Sequence, residues 1–404
     1  MNHPEPSSSI SEILGEESPG WLERSGIQLF HWLARRHHLR GKDLAGPAFE
    51  PTTNDDVMAA AVRKILAIAL TLAFIAGAIS AGGSVYAETL FPENACDAGL
   101  IAPLCLQKYG LVIAVTLILS VIELCVLVVL SVWVVFHLAR ITGHHKLSED
   151  TNDAVAARIP NLLARAALEI PDPVREVLGI DPMRGVPKRV FFVVGFLYKL
   201  KIVASNVIAK LILRRVFGKS AVRVSIAYIA VPITGIWNAI VTYRVAREAR
   251  LRLFGSLLAR HLVDRELNAT TLAGLSGRAR LGCLQAVGNA IVFARSNHPN
   301  MVILLARLYD VLRNDLEAAG ETQLDDWAEF LRTLIAVDAR ERIFLLNLLA
   351  IAAAFDGRIS FAERKHLGAA FQDDTAKYFE RIRALQRALL KGRLNAAKDL
   401  CVFA

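Results

Sequence analysis

The sequence has few of the residue patterns that reveal an enzyme or a metalloprotein. Its five cysteines form no CxxC pair and no zinc-type spacing. It contains no evident nucleophile–base pair, glycine-rich phosphate loop or metal triad. We therefore expect no enzymatic activity, no catalytic residue, no cofactor and no metal. The adjacent histidines at 37–38 and 144–145 are interpreted as solvated basic residues near lipid headgroups.

Acidic residues are nearly absent from Arg184–Arg260. This stretch carries 15 Lys or Arg and one acid, Glu248, although the whole chain of 404 residues has a net charge of only +9. Such an excess predicts an anionic partner, either lipid or nucleic acid. Because apolar runs flank the charges and the stretch lacks exposed aromatic residues interleaved for base stacking, we expect anionic membrane lipids and no nucleic acid. The basic residues expected to face lipid are Arg214, Arg215, Lys219, Arg223, Arg244 and Arg247.

Two long stretches almost lack charge and predict an all-α membrane protein. Ile65–Tyr86 has no charged residue, and Leu111–Ala139 has only Glu123. Each is long enough to cross a bilayer core of roughly 30 Å, so residues 63–140 are expected to form a two-helix transmembrane hairpin. Basic residues flank its outer ends, and its loop at 87–110 is net negative. The positive-inside rule then places both termini in the cytoplasm.

The loop of this hairpin contains two cysteines, Cys96 and Cys105. On the oxidising side of the membrane, two cysteines so close in sequence predict a disulfide. Two free thiols are the alternative.

Polar and small residues mark the two predicted spans. Thr116, Ser120 and Glu123 fall near one helical face, and a carboxylate at that depth is costly unless protonated or paired. The Glu123 carboxylate either lines an ion path in an oligomer or forms a hydrogen bond with a neighbouring helix. We favour the hydrogen bond because two spans make a poor conduit. Small residues recur every four positions in the first span and predict close helix approach, within the hairpin or between copies. These residues are Ala69, Ala73, Gly77 and Ala81.

A third uncharged stretch, Val224–Tyr243, is twenty residues long. Basic residues flank both of its ends, and Pro232 lowers its suitability as a span. We therefore expect helices that lie in the cytoplasmic interface or pack as a hairpin against the anchor. The alternative has four spans and adds Val190–Leu213 and Val224–Tyr243.

The rest of the chain divides by composition. Residues 1–20 are expected to be a disordered tail, and Trp21–Arg40 an amphipathic helix that either lies on an anionic membrane or packs on the soluble domain. That helix and a linker fill 21–62, a Pro-rich acidic linker fills 141–187, basic apolar helices fill 188–260, and a cytoplasmic helical domain fills 261–404. The helices predicted in this last domain are Leu281–Ala294, Met301–Leu316, Trp327–Val337, Arg342–Phe355 and Phe379–Leu390.

The most specific local motif lies in Ile351–Leu367. Its Asp-Gly-x-Ile-x-x-x-Glu pattern matches half of a calcium loop, but Ala352 and Ala354 stand where oxygen ligands are needed, so calcium is not expected. Ser360 followed by Glu363 predicts a capping box that begins a helix. The motif residues are Asp356, Gly357, Ile359, Ser360 and Glu363.

This segment resembles the tellurite-resistance B-like helical family and related domains of some membrane-anchored co-chaperones. The resemblance rests on Ala353 and four motif residues, Asp356, Gly357, Ile359 and Glu363, and covers about 300–404. The acidic metal-binding clusters of some family members have no counterpart here. Residues 213–255 also resemble a bacterial membrane-protein family of unassigned function, which implies a bacterial inner membrane.

Together these features favour a membrane-anchored, non-enzymatic helical module that binds a protein partner, in envelope stress. The second hypothesis is a subunit of an oligomeric channel or transporter with Glu123 in its path.

Overall fold

The computed structural model describes residues 24–30, 32, 54–90, 103–144, 165, 176–182, 223–313, 323–401 and 403, with backbone only at 104–106 and 223–230. The described chain is mostly helical, as predicted, and contains no strand beyond an isolated bridge between Val177 and Ile180. The predicted tail at 1–20, most of the linker at 141–187 and the candidate span Val190–Leu213 lie outside the described residues.

Three helices are much longer than the others: α1 (Asp55–Thr89), α2 (Pro103–Ile141) and α3 (Arg223–His261). The predicted spans Ile65–Tyr86 and Leu111–Ala139 lie inside α1 and α2. Among the described residues, these two helices are long and apolar enough to cross a membrane, with mean hydropathies of 2.3 and 3.0 over their most apolar windows.

Helix α3 begins with the apolar stretch Val224–Tyr243 and continues without a break through the basic residues that follow it. It contains Pro232 in its interior and ends in a π-helical turn, Leu262–Glu266. The apolar stretch 224–243 and the basic residues at 244–260 therefore belong to one helix.

The chain forms two compact units. The apolar unit contains residues 65–134 and 185–246, and the terminal unit contains 1–64, 135–184 and 247–404. Each of the three long helices contributes residues to both units.

The terminal unit contains eight further described helices. Side chains at their N-termini, such as those of Ser276, Asp326 and Asp338, accept backbone N–H bonds and set where α5, α7 and α8 begin. Helix α8 packs against α5 and α10. The eight helices are α4 (Ala269–Ala273), α5 (Gly277–Ala294), α6 (Pro299–Val311), α7 (Trp327–Ala336), α8 (Ala339–Ala354), α9 (Phe361–Phe371), α10 (Thr375–Lys391) and α11 (Leu394–Asp399).

The five helices predicted at 281–390 fall on α5, α6, α7, α8 and α10. Their ends differ by a few residues, and 314–316, predicted as part of the second helix, lies outside the described residues. The period of their apolar residues was therefore a sufficient signal for these helices.

The beginning of α1 is bound to the last helix of the terminal unit. The carboxylate of Asp55 accepts the backbone N–H groups of Asn395 and Ala396, both at 2.9 Å. Asp56 pairs with Arg393 at 3.0 Å. Asp55 thereby supplies two of the acceptors that the first turn of α11 lacks.

The predicted amphipathic helix Trp21–Arg40 is helical where the structure describes it, at 24–30 and 32. Phe30 is buried there and meets Phe136 of α2 edge-on, with ring centroids 5.4 Å apart. Phe136 belongs to the predicted second span, so this contact is with α2 and not with the predicted soluble domain at 261–404.

Candidate functional site

The apolar unit contains one buried carboxylate with a hydrogen-bond partner on another helix. Glu123 of α2 is only 3% exposed, and its Oε1 accepts a hydrogen bond of 2.8 Å from Nδ2 of Asn238 on α3. Asn238 is itself fully buried. A polar group that leaves water is stable only when its hydrogen bonds are satisfied, so this contact joins α2 to α3 in a specific register.

A glycine of α1 brings the third helix close to the same point. A Cβ added at Gly77 would lie 2.6 Å from Nδ2 of Asn238 and 2.8 Å from the carbonyl oxygen of Thr234. Reciprocally, a Cβ at Gly235 would lie 2.7 Å from the ring of Phe74. Glycines on both helices therefore permit a contact that any larger residue would disrupt.

All four small residues of the predicted packing face, Ala69, Ala73, Gly77 and Ala81, are buried. The sequence predicted close approach within the hairpin or between copies. At Gly77 the neighbour is α3 instead. A hairpin packed against the anchor and a third spanning helix would both make this contact.

The other two polar residues predicted on this face of α2 are less enclosed. Thr116 and Ser120 are half-buried, and Oγ1 of Thr116 has no hydrogen-bond partner among the described residues. Beside Glu123, α1 and α2 form an open groove with a volume of about 680 Å³. Its lining is apolar except for Ser80, Glu123 and Cys125.

Sequence reasoning did not identify Asn238 as the partner of Glu123. A usable signal existed, because Asn238 is the only amide side chain in Val224–Tyr243 and Glu123 needs a donor. The pairing itself is long-range, so no local pattern could specify it.

A second candidate site surrounds the Asp356–Gly357 turn in the terminal unit. Gly357 has a φ of +69°, and a Cβ there would lie 2.3 Å from Cδ1 of the buried Leu251. Arg247 donates a hydrogen bond to the carbonyl oxygen of Gly357. Asp356 accepts the backbone N–H of Arg358 at 2.9 Å. The turn therefore contacts α3 at two residues, through the hydrogen bond from Arg247 and the close approach of Gly357 to Leu251.

The predicted capping box follows this turn and is confirmed. Oγ of Ser360 accepts the backbone N–H of Glu363 at 3.1 Å, and the Glu363 carboxylate accepts the backbone N–H of Ser360 at 2.5 Å. Helix α9 therefore begins where the local sequence predicted. Ile359 is half-buried beside it.

Charged groups near the turn have strongly shifted pKa values. Burial alone raises the pKa of Glu248, but the hydrogen bond and charge of His298, together with Arg252 at 3.0 Å, outweigh burial and hold it well below its usual range. Burial raises the pKa of Asp356 to about 7, and the carboxylates of Glu363 and Glu248 add to this effect. Glu248 is therefore ionised at neutral pH while Asp356 is near its midpoint.

The raised pKa of Asp356 predicts a pH-dependent stability. Its folded-state pKa of about 7 exceeds its ordinary value of 3.8, so the folded state binds more protons between these values and its stability falls as pH rises through that window. After a discount for partial exposure, we expect a loss on the order of 2 kcal/mol between about pH 5 and pH 8. Guanidinium unfolding of the full chain in detergent micelles, followed by circular dichroism at both pH values, measures it.

The matched variants for this measurement are Asp356→Asn and Asp373→Asn. The first should abolish most of the pH slope, because its amide oxygen still accepts the Arg358 N–H but does not titrate. The second changes an exposed acid on the same domain and should leave the slope intact. An unchanged slope in Asp356→Asn would contradict the assignment.

Of the six residues predicted to face lipid, the structure describes the side chains of two, Arg244 and Arg247. Arg244 is exposed, whereas the guanidinium of Arg247 bonds to Gly357 inside the terminal unit. Only the backbone of Arg223 is described, and Arg214, Arg215 and Lys219 lie outside the described residues. Helix α3 continues past its apolar part, so it carries Arg247 into contacts with protein that a charge count does not anticipate.

The structure tests the prediction for His144 but not the predicted disulfide between Cys96 and Cys105. The interpretation of His144 as a solvated residue is wrong: it is 3% exposed, and its ring nitrogens lie 2.8 Å from the hydroxyls of Thr142 and Ser256. The predicted disulfide cannot be placed, since Cys96 lies outside the described residues and only the backbone of Cys105 is described. Among the described residues, no cluster of three His, Cys, Asp or Glu side chains could hold a metal ion.

No family model, curated protein or solved structure matches this chain.

Proposed function

We propose that this chain is a membrane-anchored, non-enzymatic helical protein whose terminal unit binds a protein partner at the cytoplasmic face of a bacterial inner membrane. The observation that carries the proposal is the hydrogen bond from Asn238 to Glu123. It accounts for the only charged residue of the second predicted span as a packing contact between helices.

The surface of the apolar unit supports the anchoring role. The most apolar windows of α1 and α2 are only 28% and 17% buried, which favours membrane spans over the core helices of a soluble domain. Their exposed residues include Ile79, Leu117 and Val121, each about three-fifths exposed. Apolar area on this scale is stable in contact with lipid hydrocarbon and would drive aggregation in water.

The composition of the groove between α1 and α2 favours anchoring over transport. An ion path needs a succession of polar or water-accessible groups, whereas the lining of this groove is overwhelmingly apolar. Glu123 borders it but is already bonded to Asn238. A channel or transporter subunit with Glu123 in its path remains the rival hypothesis that the experiment below addresses.

The partner-binding role rests on the terminal unit. Two large apolar side chains project from it, Phe361 at 88% and Ile335 at 74% exposed. Aromatic side chains of this kind are typical anchors of protein interfaces. The resemblance of 300–404 to tellurite-resistance B-like domains adds envelope stress as the proposed setting.

Substitution of Glu123 separates the two hypotheses. In Glu123→Gln the amide oxygen still accepts the Asn238 N–H, so we expect normal insertion, an unchanged mass of the purified complex and no change in ion flux across proteoliposomes. Glu123→Leu removes the acceptor and should lower the stability of the anchor by about 1–3 kcal/mol. Flux assays and alkaline extraction of membranes provide the measurements.

Two results would contradict the proposal. One is an ion flux of the unsubstituted protein that Glu123→Gln abolishes while assembly stays normal. The other is release of the full chain from membranes by alkaline carbonate, which removes peripheral proteins but not transmembrane ones.

A further inference from the structure

The terminal unit contains a cavity with an excess of positive charge that none of the roles described above uses. Its volume is about 620 Å³, within the range of roughly 300–1,000 Å³ typical of small-molecule sites. Three arginines line it, Arg247 from α3 and Arg383 and Arg387 from α10, against a single acid, Glu380. The guanidinium groups come from two helices that are distant in sequence, so the fold brings them together.

The donors of this cavity are largely available. Arg247 uses one nitrogen on the carbonyl of Gly357, and Nε of Arg387 donates to the carbonyl of Arg383 at 3.3 Å. Among the described residues no ion pair joins Glu380 to any of the three arginines, since none lies within 4.0 Å of its carboxylate. Gln386 also lines the cavity, and its Nε2 is a buried atom with no acceptor among the residues that the structure describes.

The geometry points to a phosphate group as the ligand: we propose that this cavity binds a phosphate ester. Guanidinium groups present paired N–H donors that match the oxygens of phosphate. The three guanidinium groups offer more donors than the two oxygens of a carboxylate can accept. Ala376 and Leu390 form an apolar part of the wall, which leaves room for the organic portion of the ester.

The phosphate could belong to a lipid headgroup or to a soluble compound. The lipid source rests on the proposed membrane anchoring: Arg247 follows Tyr243, the end of the uncharged part of α3, by one helical turn, or about 6 Å along the axis. The soluble source does not depend on anchoring. The chemistry that recognises the ligand is the same in both cases.

Calorimetric titration of the purified full chain in nonionic detergent tests the proposal. The probes are inorganic phosphate, short-chain phosphatidic acid and short-chain phosphatidylcholine. We expect the unsubstituted protein to bind phosphatidic acid, phosphate or both, and Arg383→Gln/Arg387→Gln to bind them at least about tenfold more weakly. Binding of phosphatidic acid without phosphate identifies a lipid source, and binding of phosphate identifies a soluble one.

A charge-matched control uses Lys365→Gln/Lys377→Gln. These lysines are exposed on α9 and α10 and do not line the cavity, so their loss removes two positive charges from the same domain and should leave affinity nearly unchanged. Arg383→Lys/Arg387→Lys keeps the charge without the paired donors and should lose part of the affinity. If the Gln variant fails to fold, the Lys variant still tests whether the paired guanidinium donors contribute to affinity.

Two results would overturn the proposal: no binding of phosphate or phosphatidic acid by the unsubstituted protein, or an equal loss of affinity in the lysine control and the arginine variant. Because the titration is done in detergent, failure here leaves the result of membrane extraction unaffected, and the two proposals can fail separately.

Discussion

Replacing Gly77 by alanine is expected to destabilise the apolar unit by about 2 kcal/mol, whereas the same replacement at Gly82 is expected to stabilise it slightly. The new Cβ at Gly77 would lie 2.8 Å from a backbone carbonyl of α3, which cannot move without the helix. Overpacking of this kind costs about 1–3 kcal/mol. The displacement would also pull Asn238 away from Glu123.

Gly82 is the matched control because it lies in the same helix and a Cβ there meets nothing within 4 Å. Alanine is favoured over glycine in a helix by about 1 kcal/mol at both positions. A net loss of about 2 kcal/mol at Gly77 therefore corresponds to an overpacking cost of about 3 kcal/mol, which is also the expected difference between the two variants. Titration of the full chain with sodium dodecyl sulfate, followed by tryptophan fluorescence, compares their unfolding midpoints. Equal midpoints would show that α1 and α3 do not touch at Gly77.

The second large effect is expected at Gly357, where alanine should destabilise the terminal unit by about 3 kcal/mol. The left-handed conformation at φ +69° costs an L-residue about 1–2 kcal/mol. The Cβ would also lie 2.3 Å from the fully buried Leu251, which adds a packing cost of about 1–3 kcal/mol. Movement of the turn would break the bond from Arg247 to the Gly357 carbonyl.

Gly143 provides the control that isolates the contact with Leu251. It also has a positive φ, +75°, but a Cβ there meets nothing within 4 Å. Gly143→Ala should therefore pay only the conformational cost, about 1–2 kcal/mol. Guanidinium unfolding of both variants and hydrogen exchange of residues 351–367 measure the difference, and identical losses would show that the clash with Leu251 is not significant.

Features with a local cause were predictable from the sequence. The helices of the terminal unit follow from apolar residues at helical spacing, and the start of α9 follows from Ser360 and Glu363, which are three positions apart. The length and composition of the apolar stretches were sufficient to predict α1 and α2 as candidate membrane spans.

Features that depend on which helices meet were not predictable. The small residues of α1 predicted that another helix would approach closely, but they did not predict that this helix would be α3, because a face of small residues accommodates any apolar helix. Counting charges could not assign the role of each arginine in the basic stretch, for a related reason. Arg250 and Arg252 are 6% and 7% exposed, and they bond to the Leu390 carbonyl and to Glu248. The sequence alone does not distinguish an arginine whose hydrogen-bond acceptors lie within the protein from one that contacts lipid.

The cap that Asp55 provides for α11 has a consequence for the order of events during synthesis. The acceptor and the donor are separated by 340 positions in the chain. At about 5–20 residues per second, a ribosome needs roughly 20–70 s to go from one to the other. The beginning of α1 is therefore synthesised long before the amides that its carboxylate binds. A nascent chain interrupted before α11 leaves the Asp55 carboxylate without the N–H groups of Asn395 and Ala396.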